Sequence, residues 1–447
     1  MAFDPLEFGK VVRGRLVANV RVDAVPSAAE VESEGARYIA ASSDDLLGLG
    51  SDPRVREALN ATVRKYGIAR HVGARAVSDF EARAAALLGV PETLAVSHES
   101  QVLPLLPTWR LVSHVRGVRP VPDAIPAATP EDAEAALAHA GMLGVVVEAV
   151  HLLEGDLAPT PRFAEACQRR HANLLVIDDG LGVLGPTGGG AIEHLSLQDQ
   201  VSLRVLPLGR AIPGSGAIVI GDSSLLEVLR GALPPPSAAS LSVSLKALEI
   251  ANAEAPRRAR LLDVAQKILV GLRATGFDTG PCVTPWIPVW IGDEALTVQW
   301  MQALATQGVQ VRGWLAGPRS RLTLGAPATM TDDKVAQLVE VFDRLAKKLP
   351  FPEAALQHRG VPTLARPESY AMGSPAPLHW STVDLPERRR DEHEPIAAPQ
   401  STNEGLSLKA RVLDAVETAT WRATSVGSAQ LRRSADALRT LIDRRRR

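Results

Sequence analysis

Val176-Ile-Asp-Asp-Gly-Leu-Gly-Val-Leu-Gly-Pro-Thr-Gly-Gly-Gly190 is the stretch on which the fold class turns. It continues a short apolar run, Leu174–Ile177, which ends in two carboxylates and then breaks into glycine. Three further apolar runs, Ala95–Ser97, Gly144–Val150 and Gly216–Ile220, are separated from it by helical or loop segments. Such spacing predicts a mainly parallel sheet covered by helices on both faces, an α/β architecture. Functional groups in open α/β sheets gather beyond the carboxyl ends of the strands, and Asp178 and Arg210 are both placed there.

Working outward, residues 6–21 suit a short amphipathic helix and Arg37–Ala41 a strand, so residues 1–40 form a lead-in. Helices are predicted from Asp52 to Tyr66 and from Ser78 to Leu88, with Gly67 and Gly89 as stops. Pro234-Pro-Pro236 precedes one long helical stretch, Ser240 to Thr275, which closes a large domain spanning 41–275. Residues 276–350 then read as a small α/β domain: strands at Thr284–Ile291, Val309–Arg312 and Arg319–Leu324, and helices at Ala295–Gln307 and Asp332–Lys347. Residues 351–405 mix proline, charge and small polar residues as a linker does. Residues 406–447 carry apolar positions at helical spacing and end in Arg444–Arg447, either a solvated basic helix or one that docks on a partner, an acidic lipid surface or nucleic acid.

The chain has 447 residues, is 46% hydrophobic and carries a formal charge of -1, so no global field draws it to nucleic acid or membrane. Its two cysteines, Cys167 and Cys282, lie far apart, and the amino end holds no apolar run of signal-peptide length. A reducing cytoplasm is the expected compartment, with each cysteine a small buried hydrophobe.

Several segments resemble the α-oxoamine synthases. Glu148-Ala-Val-His-Leu-Leu-Glu-Gly-Asp-Leu-Ala-Pro159 resembles the family's Glu-Gly-Val-Phe-Ser-Met-Asp-Gly-Asp-Ile-Ala-Pro. The stretch from Val176 to Gly190 is similar to Val-Asp-Glu-Ala-His-Gly-Thr-Gly-Val-Leu-Gly-Pro-Thr-Gly-Arg-Gly. Asp45-Leu-Leu-Gly-Leu49, Tyr66-Gly67 and Gly73-Ala-Arg75 resemble Asn-Tyr-Leu-Gly-Leu, Tyr-Gly and Gly-Ser-Arg. Val205-Leu-Pro-Leu-Gly-Arg-Ala-Ile-Pro-Gly-Ser-Gly-Ala217 falls on Thr-Leu-Ser-Lys-Ala-Leu-Gly-Gly-Ser-Gly-Gly. The likeness runs over residues 37–348. It implies a fold-type-I, aminotransferase-like architecture, pyridoxal phosphate as the family cofactor, and a dimer with its sites at the subunit interface.

Against that pattern the site residues diverge. Arg210 stands where the family carries the Schiff-base lysine. A lysine can be tuned to a neutral amine that attacks an aldehyde, whereas a guanidinium stays protonated and is a poor nucleophile; the residue is otherwise an ordinary surface arginine. Asp178 matches the aspartate that pairs with the pyridine nitrogen and keeps the ring an electron sink, or else caps a turn. Ser97 and His98 occupy the phosphate turn, where Glu99 would repel a phosphate charge near 4 Å by roughly 4 kcal/mol; alternatively His98 and Glu99 are plain loop residues. Leu181 replaces the family histidine, Pro207 and Gly209 replace two hydroxyls, and nothing in 111–130 resembles the segment whose histidine stacks on the ring. In Arg319-Ser-Arg321-Leu-Thr-Leu324 one arginine corresponds to the holder of the substrate carboxylate, or both are solvated or structurally paired. Arg75 is a further candidate substrate contact, Ala328 replaces a following histidine, and no lysine lies in the active-site loop.

The expectation is therefore a catalytically degenerate family member in which pyridoxal phosphate is lost or weakly bound and no covalent cofactor is carried. It would act as a structural or regulatory subunit, as a homodimer or paired with an active relative, like the non-catalytic subunit of serine palmitoyltransferase. The alternatives are an acyltransferase joining an amino acid to an acyl-CoA with a partner's lysine, and an interaction protein working through residues 406–447.

Overall fold

The computed structural model describes residues 15–67, 74–106, 108–115, 121, 123–139 and 141–352. The expected linker, but for Phe351 and Pro352, and all of the basic tail lie outside them, as do residues 1–14.

Chain order gives strands β1 (Arg15–Ala18), β2 (Ala24–Ser27), β3 (Glu30–Ser33), β4 (Ala36–Ala40), β5 (Leu94–Val96), β6 (Leu111–His114), β7 (Ile125–Pro126), β8 (Gly144–Glu148), β9 (Val150–His151), β10 (Asp156–Leu157), β11 (Asn173–Ile177), β12 (Leu203–Pro207) and β13 (Ala217–Gly221). The carboxyl-terminal region adds β14 (Ile287–Trp290), β15 (Val309–Gln310), β16 (Arg312–Leu315) and β17 (Arg321–Leu324). A seven-stranded sheet runs in the order β5-β13-β12-β11-β8-β6-β7. Only β13 lies antiparallel to its neighbours, β12 and β5. Strands β8 and β12 are buried at every position, as expected of a sheet covered on both faces.

The helices follow local chemistry. Pro53–Tyr66 starts at Asp52, whose carboxylate accepts from Arg54 N, with Pro at the first position, and stops at Gly67 (φ 72°). The stretch expected as one helix from Ser240 to Thr275 is two, Ala238–Ala253 and Ala255–Thr275, broken at Glu254 (φ -100°, ψ 66°). Pro256 has no N–H with which to continue the first helix. The second falls within the 41–275 span expected of the large domain, yet Val264, Ile268, Leu269 and Leu272 bury into the small lobe's core beside Trp300 and Phe342.

The helix expected over 6–21 is also corrected where the structure describes it. Residues 15–18 form β1, antiparallel to β16 at the edge of the sheet β1-β16-β17-β14. The side chains alternate: Val17 packs on the small-lobe core while Leu16 is 49% exposed, a period of two. Strands β2 to β4 join β15 in a second sheet, so residues 15–40 belong to the small lobe and are no separate lead-in. The strand expected from Thr284 begins only at Ile287, because the preceding residues are engaged by the large lobe: Val283 N, Thr284 N and Thr284 Oγ1 all donate to the Gly155 carbonyl, at 2.9, 3.1 and 2.9 Å.

That seam depends on a glycine. Gly155 has φ 71°, and a β-carbon there would lie 2.2 Å from the Trp286 carbonyl oxygen and 2.7 Å from Cys282 Sγ. Both cysteines are buried, and burial pushes each thiol up to about 12. Gly155→Ala is expected to destabilise the protein by at least about 2 kcal/mol, measured by denaturant unfolding, since it combines left-handed strain with a backbone clash.

His194 ends the short turn Ala191–His194, and its burial, opposed by the Asp178 carboxylate, pushes the imidazole down to about 4. An unfolded chain takes up this proton near pH 6.5, the folded one only near 4, so the unfolded state binds more protons between them. Stability should therefore fall as pH drops from 6.5 to 4, by roughly 2–3 kcal/mol from this group. His194→Gln should flatten that part of a plot of unfolding midpoint against pH.

Candidate functional site

At the carboxyl end of β11 the chain turns inward. Asp178 is wholly buried, and both its oxygens are used by the protein. Oδ1 accepts from Gly180 N (3.0 Å) and Ala191 N (2.8 Å). Oδ2 accepts from Ile192 N (3.0 Å) and from Arg204 Nε (3.0 Å) and Nη2 (2.6 Å). A carboxylate offers about four acceptor positions, so these five donors fill it. The glycine turn makes the closure possible: at Gly190 (φ 110°) a β-carbon would stand 2.6 Å from Arg204 Nη2 and 2.7 Å from Asp178 Oδ2. The Arg204 guanidinium also donates to the Gly189 carbonyl.

Arg210, on the loop after β12, is no free surface arginine. Its side chain is 27% exposed, and Nε donates to Asp179 Oδ1 at 2.9 Å, a carboxylate with no exposed surface. Its Nη1 lies 3.9 Å from Asp44, which accepts both terminal nitrogens of Arg312 on β16 at 2.8 and 2.9 Å. Two arginines and two carboxylates thus run from the large sheet to the small one. Under the turn, a β-carbon at Gly182 would meet Ile212 Cδ1 at 2.8 Å and Leu47 Cδ1 at 3.4 Å, so apolar side chains fill the space there.

The turn after β5 is closed in the same manner. Ser97 Oγ donates to Gln101 Oε1 at 3.0 Å, and Ser97 N donates to the Pro234 carbonyl. His98 Nδ1 accepts from Ser100 N at 3.2 Å and lies 3.4 Å from Glu99. Short 3-10 turns at Glu99–Gln101, Leu103–Leu105 and Thr108–Arg110 follow, where an anion would call for the first turn of an α-helix.

Of the candidate arginines, Arg321 is 2% exposed. It stacks on Trp290 at 3.8 Å and donates through Nη1 to the Leu153 carbonyl (3.0 Å) and Glu154 Oε1 (3.2 Å). It rivets β17 to the β9–β10 hairpin. Arg319 is exposed in the turn before that strand, and Arg75 is an exposed helical residue 3.9 Å from Asp79. The structure therefore joins Asp178 with Arg204 and Arg210 with Asp179, and leaves Arg75 apart on the surface.

Sequence reasoning missed Arg204, Asp179, Asp44 and Arg312. Arg204 carried a signal: it is the one charge in Leu203-Arg-Val-Leu-Pro207, and a charged residue inside a buried strand demands a partner. As built, these residues do not fit pyridoxal phosphate. At the positions the resemblance assigns to the coenzyme, the Asp178 carboxylate is saturated, Arg210 is ion-paired with Asp179, and the turn after β5 carries Glu99. Among the described residues no cluster of His, Cys, Asp and Glu is arranged to hold a metal, and no helix is long and apolar enough to cross a membrane.

No family model matches the chain. It is 31% identical over 320 residues to the 8-amino-7-oxononanoate synthase of Anaeromyxobacter dehalogenans, covering 63% of this chain and 79% of that one. It is 29% identical over 372 residues to the same enzyme of Hahella chejuensis, covering 71% and 90%. Among solved structures, Sphingomonas wittichii serine palmitoyltransferase superposes with a TM-score of 0.69 at 19% identity over 78% of this chain and 98% of that one. The Francisella tularensis 8-amino-7-oxononanoate synthase gives 0.59 at 18% over 69% and 98%. With that identity over most of a relative's length, and with the sheet order and glycine turn described above, the chain belongs to the α-oxoamine synthase family and has its fold-type-I, pyridoxal-phosphate-enzyme architecture.

Proposed function

We propose that this chain is a catalytically retired α-oxoamine synthase, serving as a structural or regulatory subunit of a dimer, either with a second copy or with an active relative. One observation carries the reading: Arg210 holds the position of the Schiff-base lysine and is committed to Asp179 at 2.9 Å. A guanidinium remains protonated and forms no imine under conditions a folded protein survives. Other lysines are engaged elsewhere: Lys246 with Glu249, Lys267 with Asp263 and Asp332, Lys334 with Glu30. What remains of the family is its shape, and shape suffices for association.

The alternative, in which a partner's lysine crosses the interface to complete an acyltransferase, asks Asp178 to accept a protonated ring as well. Its acceptor positions are already taken. The reading in which residues 406–447 act as a docking tail concerns residues outside the described ones.

Incubated with pyridoxal phosphate, an amino acid and an acyl-CoA, the purified chain should show no visible band that borohydride removes and no turnover. Such a band together with turnover would overturn the proposal. Arg210→Lys restores an amine without freeing Asp178, so it should gain no turnover. A native mass measurement should find two chains, identical in the purified protein or mixed when the chain is isolated from its own cells; a lone chain at micromolar concentration in both preparations would sink the subunit role.

A further inference from the structure

We infer that Arg204 is a resident counter-ion for Asp178, standing in for the protonated ring of the family's coenzyme, so that the fold is complete without any ligand in its cleft. This rests on the proposed loss of catalysis for its context, but it concerns stability and binding and is tested separately.

The residues lead there step by step. Asp178 sits at the end of a buried strand with no exposed surface, and a charge so placed needs an opposite one. In a family member that uses pyridoxal phosphate, the pyridinium supplies it. Here the neighbouring strand supplies it, because Arg204 follows Leu203 in β12, and Leu203 pairs with Leu175 of β11. Arg204 is 6% exposed and points two nitrogens at one oxygen, at 3.0 and 2.6 Å. The pair is then sealed. Ala191 and Ile192 close over the carboxylate with their amides, and the Gly189–Gly190 backbone lies directly on the guanidinium, leaving less room at Gly190 than a methyl group needs. A planar ring has no route between them.

A chain built this way neutralises Asp178 from its own neighbouring strand, without drawing on a coenzyme. It also explains why Arg210 alone does not account for the site. The lysine's replacement removes the covalent bond, whereas Arg204 removes the charge complementarity that would hold the ring non-covalently.

Thermal unfolding of the full chain with and without millimolar pyridoxal phosphate provides the first arm. The midpoint should move by less than about 1 °C, whereas a ligand well above its Kd raises it by several degrees. A rise of that size overturns the inference, and if turnover is still absent it does so without touching the proposed loss of catalysis. The second arm is a double-mutant cycle. Arg204→Met and Asp178→Asn should each lower the midpoint by roughly 5–10 °C, and the combined variant by no more than the worse single change. Additive losses would mean that the two side chains act independently and that Arg204 is no counter-ion. Should Arg204→Met fail to fold, Arg204→Lys, which keeps the charge but loses the fork, takes its place in the cycle with a smaller loss expected.

Discussion

A carboxylate delivered by a parallel strand into the centre of an α/β protein must be neutralised, and the arrangement around Asp178 follows from that constraint. Backbone amides from the glycine turn and a guanidinium from the next strand share the task. The turn can approach so closely only because residue 190 lacks a side chain. Losing one partner of such a pair leaves an unpaired buried charge, which costs far more than the pair contributes when intact. Arg204 is thereby tied to Asp178, and the glycines are tied to both.

The same logic recurs across the seam between the lobes. Arg321, on β17, is spent on Trp290, Glu154 and a backbone carbonyl. Arg312 and Arg210 take up Asp44 and Asp179. Three donors converge on the Gly155 carbonyl. These polar groups are turned toward one another, and the two lobes are held through them.

Much of this was legible beforehand. The runs at 95, 144, 174 and 216 are apolar without alternation, as strands of a doubly covered sheet are, and each is a strand of the seven-stranded sheet. Asp52-Pro53 and Gly67 bracket a helix through capping chemistry that is local in sequence. The frayed readings were those where local pattern is ambiguous. Residues 15–18 fit a helical face as well as an edge strand, and the free edge of β16 decided the matter. Pro256 was visible, but the helical periodicity on either side of it concealed the break.

Sequence by itself determined the family frame and the sheet, and set Arg210 in the segment that resembles the family's lysine loop, because motifs and buried periodicity are encoded residue by residue. Only tertiary structure decided what the remaining polar groups do. Whether Asp178 faces a ligand or a neighbouring arginine, and whether Arg210 is a surface charge or half of an ion pair, depends on residues 26 and 31 positions apart in the chain that strand pairing and the glycine turn bring within hydrogen-bond range.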